Sequence, residues 1–150
     1  MLEYRRKGAV DVSTIRLEIS SHIHSGDNGK QESIDQQLDG RLEQKGDIWI
    51  LRYVENMGES DQVRTTVKAG PEEVMVIRQG MISYRTTYRP GTTTYSVIEA
   101  MGGTSELKVE TVDYVREDGH IRFSFHLSTG EEVMGLYQLD IRWTEGSKEL

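Results

Sequence analysis

The sequence predicts an all-β fold, a single antiparallel up-and-down β-barrel of about eight to ten strands. Three observations predict it. Apolar and polar residues alternate with period two in segment after segment, the pattern of a strand with one wet face. Turn formers separate those segments at spacings of roughly 8 to 14 residues. No segment carries convincing helical periodicity, so the connections are too short for crossovers and successive strands pair as hairpins. A meander of that length removes its exposed edges by closing on itself. The alternative is a two-sheet sandwich.

The elements follow in order. Ile15, Leu17 and Ile19 alternate with Arg16, Glu18 and Ser20. The turn-rich Ser25–Lys30 leads into a second strand with Ile34, Gln36, Leu38, Gly40 and Leu42 on one face. Gly40 within a strand predicts a bulge or sharp bend. Lys45-Gly46-Asp47 turns into IWILRYVE, Ile48 to Glu55, which is apolar on both faces. Val63, Thr65 and Val67 then alternate with Arg64, Thr66 and Lys68.

Val74 to Tyr88 reads as a hairpin whose arms meet at a two-residue link, Gln79-Gly80, where Gly supplies the positive φ of a tight turn. Arg89-Pro90-Gly91 is a strong turn. Thr93, Tyr95 and Val97 alternate next, and a longer strand runs from Glu106 to Arg116. Glu117-Asp118-Gly119 precedes Ile121, Phe123, Phe125 and Leu127. Thr129-Gly130 precedes a last strand with Gly135, Tyr137, Leu139, Ile141 and Trp143 on one face. Residues 1–10 read as a flexible N-terminal segment, 11–145 as the barrel and 146–150 as a frayed tail.

Composition narrows the function classes. The net charge is -7, which disfavours nucleic acid as a partner because an acidic surface repels phosphates. Cys is absent, so disulfides and thiolate metal sites are excluded, in keeping with a reducing cytoplasm. Arg5, Arg6 and Lys7 are not followed by an apolar stretch, so the start of the chain does not read as a secretory signal, and no run approaches the roughly 18 residues of a membrane helix. The expectation is a cytoplasmic protein with no membrane partner.

Four stretches resemble the YwiB-like family of small bacterial proteins of unknown function: Tyr53-Val54-Glu55, Thr65-Thr66-Val67-Lys68, VMVIRQG with Arg78 and Gly80, and LKVET at Leu107 to Thr111. The similarity runs from the first strand to Trp143. It implies a calycin-like (lipocalin-like) barrel and brings no established activity. Ala100-Met101-Gly102 departs from the aromatic-Gly step expected there, so that turn inherits no role.

Candidate site residues come from pairing the hairpins by their loops. Setting Glu55 opposite Asp61, Ala69 opposite Val74 and Arg78 opposite Met81 puts Tyr53, Glu55, Thr65, Val76 and Arg78 on one inward face. An inward guanidinium must meet an anion or a protein carboxylate, since an isolated buried charge costs several kcal/mol. Two readings stay open: a ligand carboxylate or phosphate bound by Arg78, with Tyr53 donating a second hydrogen bond and Thr65 nearby, or a structural Arg78 that pairs internally with Glu55 or snorkels out of the barrel mouth. His22 and His24 share a strand face at a spacing that can chelate a metal, but they continue a polar series and read as solvated, as do His120 and His126. No nucleophile–base pair, phosphate-binding Gly loop or HExxH is present.

The sequence thus points to a non-enzymatic barrel without metal or cofactor that binds a small, partly apolar or anionic molecule. The alternative is an interaction module with a side-chain-filled barrel. Ile48, Ile50 and Val54 cannot share the interior with Trp49, Leu51 and Tyr53. With Met75 and Ile77 they form an outer apolar wall that predicts a homodimer unless the N-terminal segment covers it.

Overall fold

The computed structural model describes residues 11–25, 29–56, 61–100, 102–130 and 132–146. These form ten strands: β1 (Asp11–Ser25), β2 (Gln31–Lys45), β3 (Ile48–Asn56), β4 (Gln62–Ala69), β5 (Val74–Gly80), β6 (Ile82–Tyr88), β7 (Thr93–Ala100), β8 (Gly103–Glu117), β9 (His120–Thr129) and β10 (Glu132–Glu145). Each pairs antiparallel with its chain neighbours, and β1 pairs with β10 from Ile15↔Glu145 to Ser25↔Gly135, closing the barrel. The N-terminal segment 1–10 lies outside the described residues. At the other terminus, Gly146 N donates to Thr14 O at 2.8 Å, so the first residue of the expected tail is held against β1.

The alternation in sequence becomes an inside and an outside. Ile15, Leu17 and Ile19 meet Leu51, Val67, Val76, Phe123 and Ile141 in one core. Ile50, on the outward face of β3, is nonetheless buried at 7% exposure, while Val54 is 41% exposed.

Four local expectations change. Gly40 is not a bulge, because the β1–β2 register runs unbroken through Ile15↔Gly40. Its role is close approach: a Cβ there would sit 2.6 Å from both Arg52 O and Leu17 Cδ1. Glu55 pairs with Val63 rather than Asp61, a shift of two that keeps its face. The β5–β6 connection is longer than two residues, since the last pair is Arg78↔Tyr84 rather than Arg78↔Met81. That shift of three is odd, so it turns Tyr84, Thr86 and Tyr88 inward. Gly80 does have positive φ, +147°, but it stays paired with Val63 on β4, where a Cβ would collide with Gln62 O.

β7 carries Tyr95 and Val97 outward, 66% and 54% exposed, while Ser96 is buried and Ile98 lines the interior. Two bulges went unsignalled, one between Thr111 and Asp113 and one between Val133 and Gly135. The first inserts Val112 and changes the inward set of β8 from Leu107, Val109 and Thr111 to Tyr114 and Arg116.

Two ladders are partial. β2 pairs with β3 only from Gly40↔Tyr53 to Lys45↔Ile48, leaving the first half of β2 free of β3. β6 pairs with β7 only at Ile82↔Ala100 and Ser83↔Glu99. Beyond that point hydroxyls bridge the seam: Thr86 Oγ1 and Ser96 Oγ lie 2.6 Å apart in a buried hydrogen bond.

Candidate functional site

The barrel has a closed end and a hollow end. At the closed end Trp49 and Trp143 meet edge to face, with centroids 5.9 Å apart, and the Arg116 guanidinium lies 4.1 Å over the Trp49 ring. Arg116 Nη1 donates to Asp47 O at 2.6 Å and Ala69 O at 3.0 Å, so the cation is stacked and hydrogen-bonded. Tyr114 donates to Gly70 O at 2.6 Å. Burial pushes its hydroxyl pKa up to about 12 against the lowering effect of Arg116.

Above this floor is a cavity of about 430 Å³. Its walls differ in chemistry. One wall is aromatic: Tyr88 contacts Phe123 and Phe125 at centroid distances of 4.7 and 4.5 Å, and Phe125 stacks on Tyr137 at 5.7 Å. The other carries Tyr53, Glu55, Thr65, Arg78 and Tyr84 from β3, β4, β5 and β6.

All four residues singled out in the sequence therefore line this cavity. Tyr53↔Thr65 and Thr65↔Arg78 are register partners across three adjacent strands, which is why their side chains converge. Arg78 Nη2 donates to Glu55 Oε1 at 3.0 Å, and Thr65 Oγ1 donates to the same oxygen at 2.8 Å. The Arg78 and Glu55 side chains are 17% and 12% exposed. Of the two readings of Arg78, the internal pair is formed.

The residue the sequence missed is Tyr84, whose ring centroid is 5.7 Å from Arg78 Cζ. Only the β5–β6 register could have placed it inside. Burial raises the pKa of Tyr53, with Glu55 and Tyr84 adding to the effect and Arg78 opposing it, so the phenol stays protonated. Burial also raises Tyr84 and Tyr88. It works against the charge of Arg78, but Tyr84 and Glu55 outweigh it, and that pKa is raised.

The histidines are scattered. Ser33 Oγ lies 3.4 Å from His22 Nδ1, and His120 Nε2 lies 2.7 Å from Asp140 Oδ1 on the outer face. His120 and Asp140 are 16% and 18% exposed, so this histidine is half-buried and paired rather than solvated as expected. No three metal-ligating side chains cluster among the described residues.

Known proteins share this architecture. The crystal structure of the ywiB protein from Bacillus subtilis superposes with a TM-score of 0.71 at 24% identity, covering 91% of this chain and 94% of that one. In sequence, the uncharacterized β-barrel protein YwiB of Bacillus subtilis (strain 168) is 28% identical over 137 residues, spanning 89% of this chain and 94% of the relative. The family model described as "Domain of unknown function (DUF1934)" matches residues 17–141, nearly the whole barrel. The chain therefore belongs to the DUF1934 family of YwiB-like β-barrel proteins.

Proposed function

We propose that this barrel binds a small, partly apolar molecule in its hollow end, with the ligand's polar part against Arg78, Tyr53, Glu55 and Thr65. The observation that carries the reading is the cavity. At about 430 Å³ it exceeds the roughly 300 Å³ that small-molecule sites need, and an aromatic wall facing a few convergent polar groups is the usual anatomy of such sites. A barrel filled by its own side chains, the basis of the alternative reading, would leave no such space.

We read the protein as a binder rather than an enzyme. Among the described residues, Glu55 is the one carboxylate lining the cavity, and its Oε1 already accepts from both Thr65 and Arg78.

The test uses the full chain and N-phenyl-1-naphthylamine, an uncharged apolar fluorophore. A saturable rise in its emission at one site per chain is expected, with binding weakened in Ile98→Trp, which projects a bulkier ring into the cavity. Absence of saturable uptake by the wild type, together with no co-purified small molecule in native mass spectrometry, would overturn the reading.

A further inference from the structure

We infer that the cavity selects an uncharged, planar ligand bearing an adjacent carbonyl and N–H, the edge of a lactam or similar heterocycle. This deepens the reading that the cavity binds a small molecule and rests on it.

The first argument is charge. Arg78 and Glu55 are the formally charged side chains on the described cavity wall, and they are joined at 3.0 Å. Their charges cancel. The remaining acidic groups facing the space include Tyr53, Tyr84 and Tyr88, all buried phenols kept neutral. An anionic ligand would either take Arg78 from Glu55, stranding a carboxylate that is only 12% exposed, or lie against that carboxylate's own charge. A cationic ligand would strand the guanidinium in the same way. An uncharged ligand leaves the pair intact.

The second argument is hydrogen-bonding capacity. A guanidinium has five N–H donors; among the described residues Arg78 spends Nη2 on Glu55, and Nε is buried out of a ligand's reach, which leaves Nη1 to donate. Glu55 receives both of its hydrogen bonds, from Thr65 and Arg78, on Oε1. Oε2 has no partner among the described residues. The pair thus keeps a donor and an acceptor for a ligand, and an adjacent C=O and N–H on one ligand edge would satisfy both. An ether or ketone would satisfy the donor alone.

The third argument is shape. Tyr88, Phe123, Phe125 and Tyr137 form a continuous aromatic surface, with centroid separations from 4.5 to 6.0 Å. Flat rings stack against such a surface with more contact than a flexible chain, and they lose less conformational entropy on binding.

Displacement of N-phenyl-1-naphthylamine from the full-length protein tests this with three bicyclic competitors of similar size. The competitors are 2-quinolone, N-methyl-2-quinolone, which lacks the N–H, and the anion 2-naphthoate. Displacement by 2-quinolone is expected at concentrations at least tenfold lower than by either of the others. In the Arg78→Met/Glu55→Leu variant the fluorophore should still bind, with 2-quinolone and its N-methyl form now equal within about twofold. If 2-naphthoate matches or outcompetes 2-quinolone, or if the double variant keeps the discrimination, this inference is overturned while the cavity reading stands. If the fluorophore itself shows no saturable binding, the cavity reading fails with it.

Discussion

Arg78 and Glu55 lie on strands that are not neighbours, yet their side chains meet at 3.0 Å across β4, whose Thr65 donates to the same carboxylate oxygen. The polar cluster therefore reports on three strands at once. Breaking it exposes each partner to the low-dielectric interior, and the cost falls on whichever charge remains.

Glu55→Leu strands the guanidinium and Arg78→Met strands the carboxylate. Each should lower stability by about 3 kcal/mol, the low end for a buried pair because both side chains keep some exposure. The double variant should recover most of that loss, and denaturant midpoints of the three variants against wild type measure the coupling. Single variants as stable as wild type would show that the pair contributes nothing to folding.

Several buried tyrosines have folded-state pKa values above the ordinary value of 10, that of Tyr114 rising to about 12. A raised folded pKa means the unfolded chain releases its protons first as pH climbs. Stability is therefore full below pH 10 and falls above it, by about 1.4 kcal/mol per pH unit for each such tyrosine ionised only in the unfolded state. Denaturant unfolding at pH 9, 10 and 11 checks the direction. Phenolate absorbance at 295 nm from the buried tyrosines should appear together with unfolding rather than before it, read in a Tyr95→Phe background because Tyr95 is 66% exposed. An unchanged midpoint across that range would refute the prediction.

The seam between β6 and β7 is held past Ser83↔Glu99 by the Thr86–Ser96 hydrogen bond. Thr86→Val leaves Ser96 Oγ with only its 3.5 Å bond to Arg85 O, Ser96→Ala takes this partner from Thr86 Oγ1, and each should cost about 1–3 kcal/mol. The double substitution should cost less than the sum of the two. Hydrogen exchange should be fast in the wild type at those alternate amides of 84–88 and 94–98 that face the seam, the others being bonded to β5 and β8. Protection there equal to that of β1 would contradict the open seam.

Gly80→Ala should destabilise more than Gly91→Ala, although both glycines have positive φ. A Cβ at Gly80 runs into the β4 backbone at Gln62, whereas at Gly91 it meets nothing within 4 Å. Backbone strain of about 1–3 kcal/mol arises at both, and φ of +147° at Gly80 against +80° at Gly91 adds to the collision in the same direction, so the thermal midpoint should fall further for Gly80→Ala.

We also propose self-association through the outer wall of β3 and β5. Val54 is 41% exposed there and Met75 and Ile77 are half-buried. Light scattering at tens of micromolar should give twice the chain mass for wild type and the single chain mass for Val54→Glu/Ile77→Glu. A monomeric wild type would dismiss it.

The sequence carried the architecture and the polar cluster for the same physical reason. Period-two alternation fixes inside and outside wherever one face is apolar, and Tyr53, Thr65 and Arg78 sit on strands joined in the expected register or an even offset from it. Tyr84 escaped because the turn beyond Arg78 holds more residues than two, and an odd shift exchanges the faces of a strand. β7 escaped differently. Tyr95 and Val97 look like a core face, but Ser96 is the buried residue, held by Thr86, and that partner lies on another strand. The inward turn of Arg116 depends on an inserted residue, Val112, whose side chain gives no local signal. The cavity is a volume left over by side chains from every strand, which no single stretch of sequence encodes.

At the closed end, Arg116 on β8 reaches the carbonyls of Asp47 and Ala69, which belong to the turn before β3 and the end of β4. It acts as a spoke across a hoop. Those bonds span the β6–β7 seam, whose remaining pairs, Ile82↔Ala100 and Ser83↔Glu99, lie toward the opposite end. One guanidinium thus ties the two sides of the barrel together where the ladder does not.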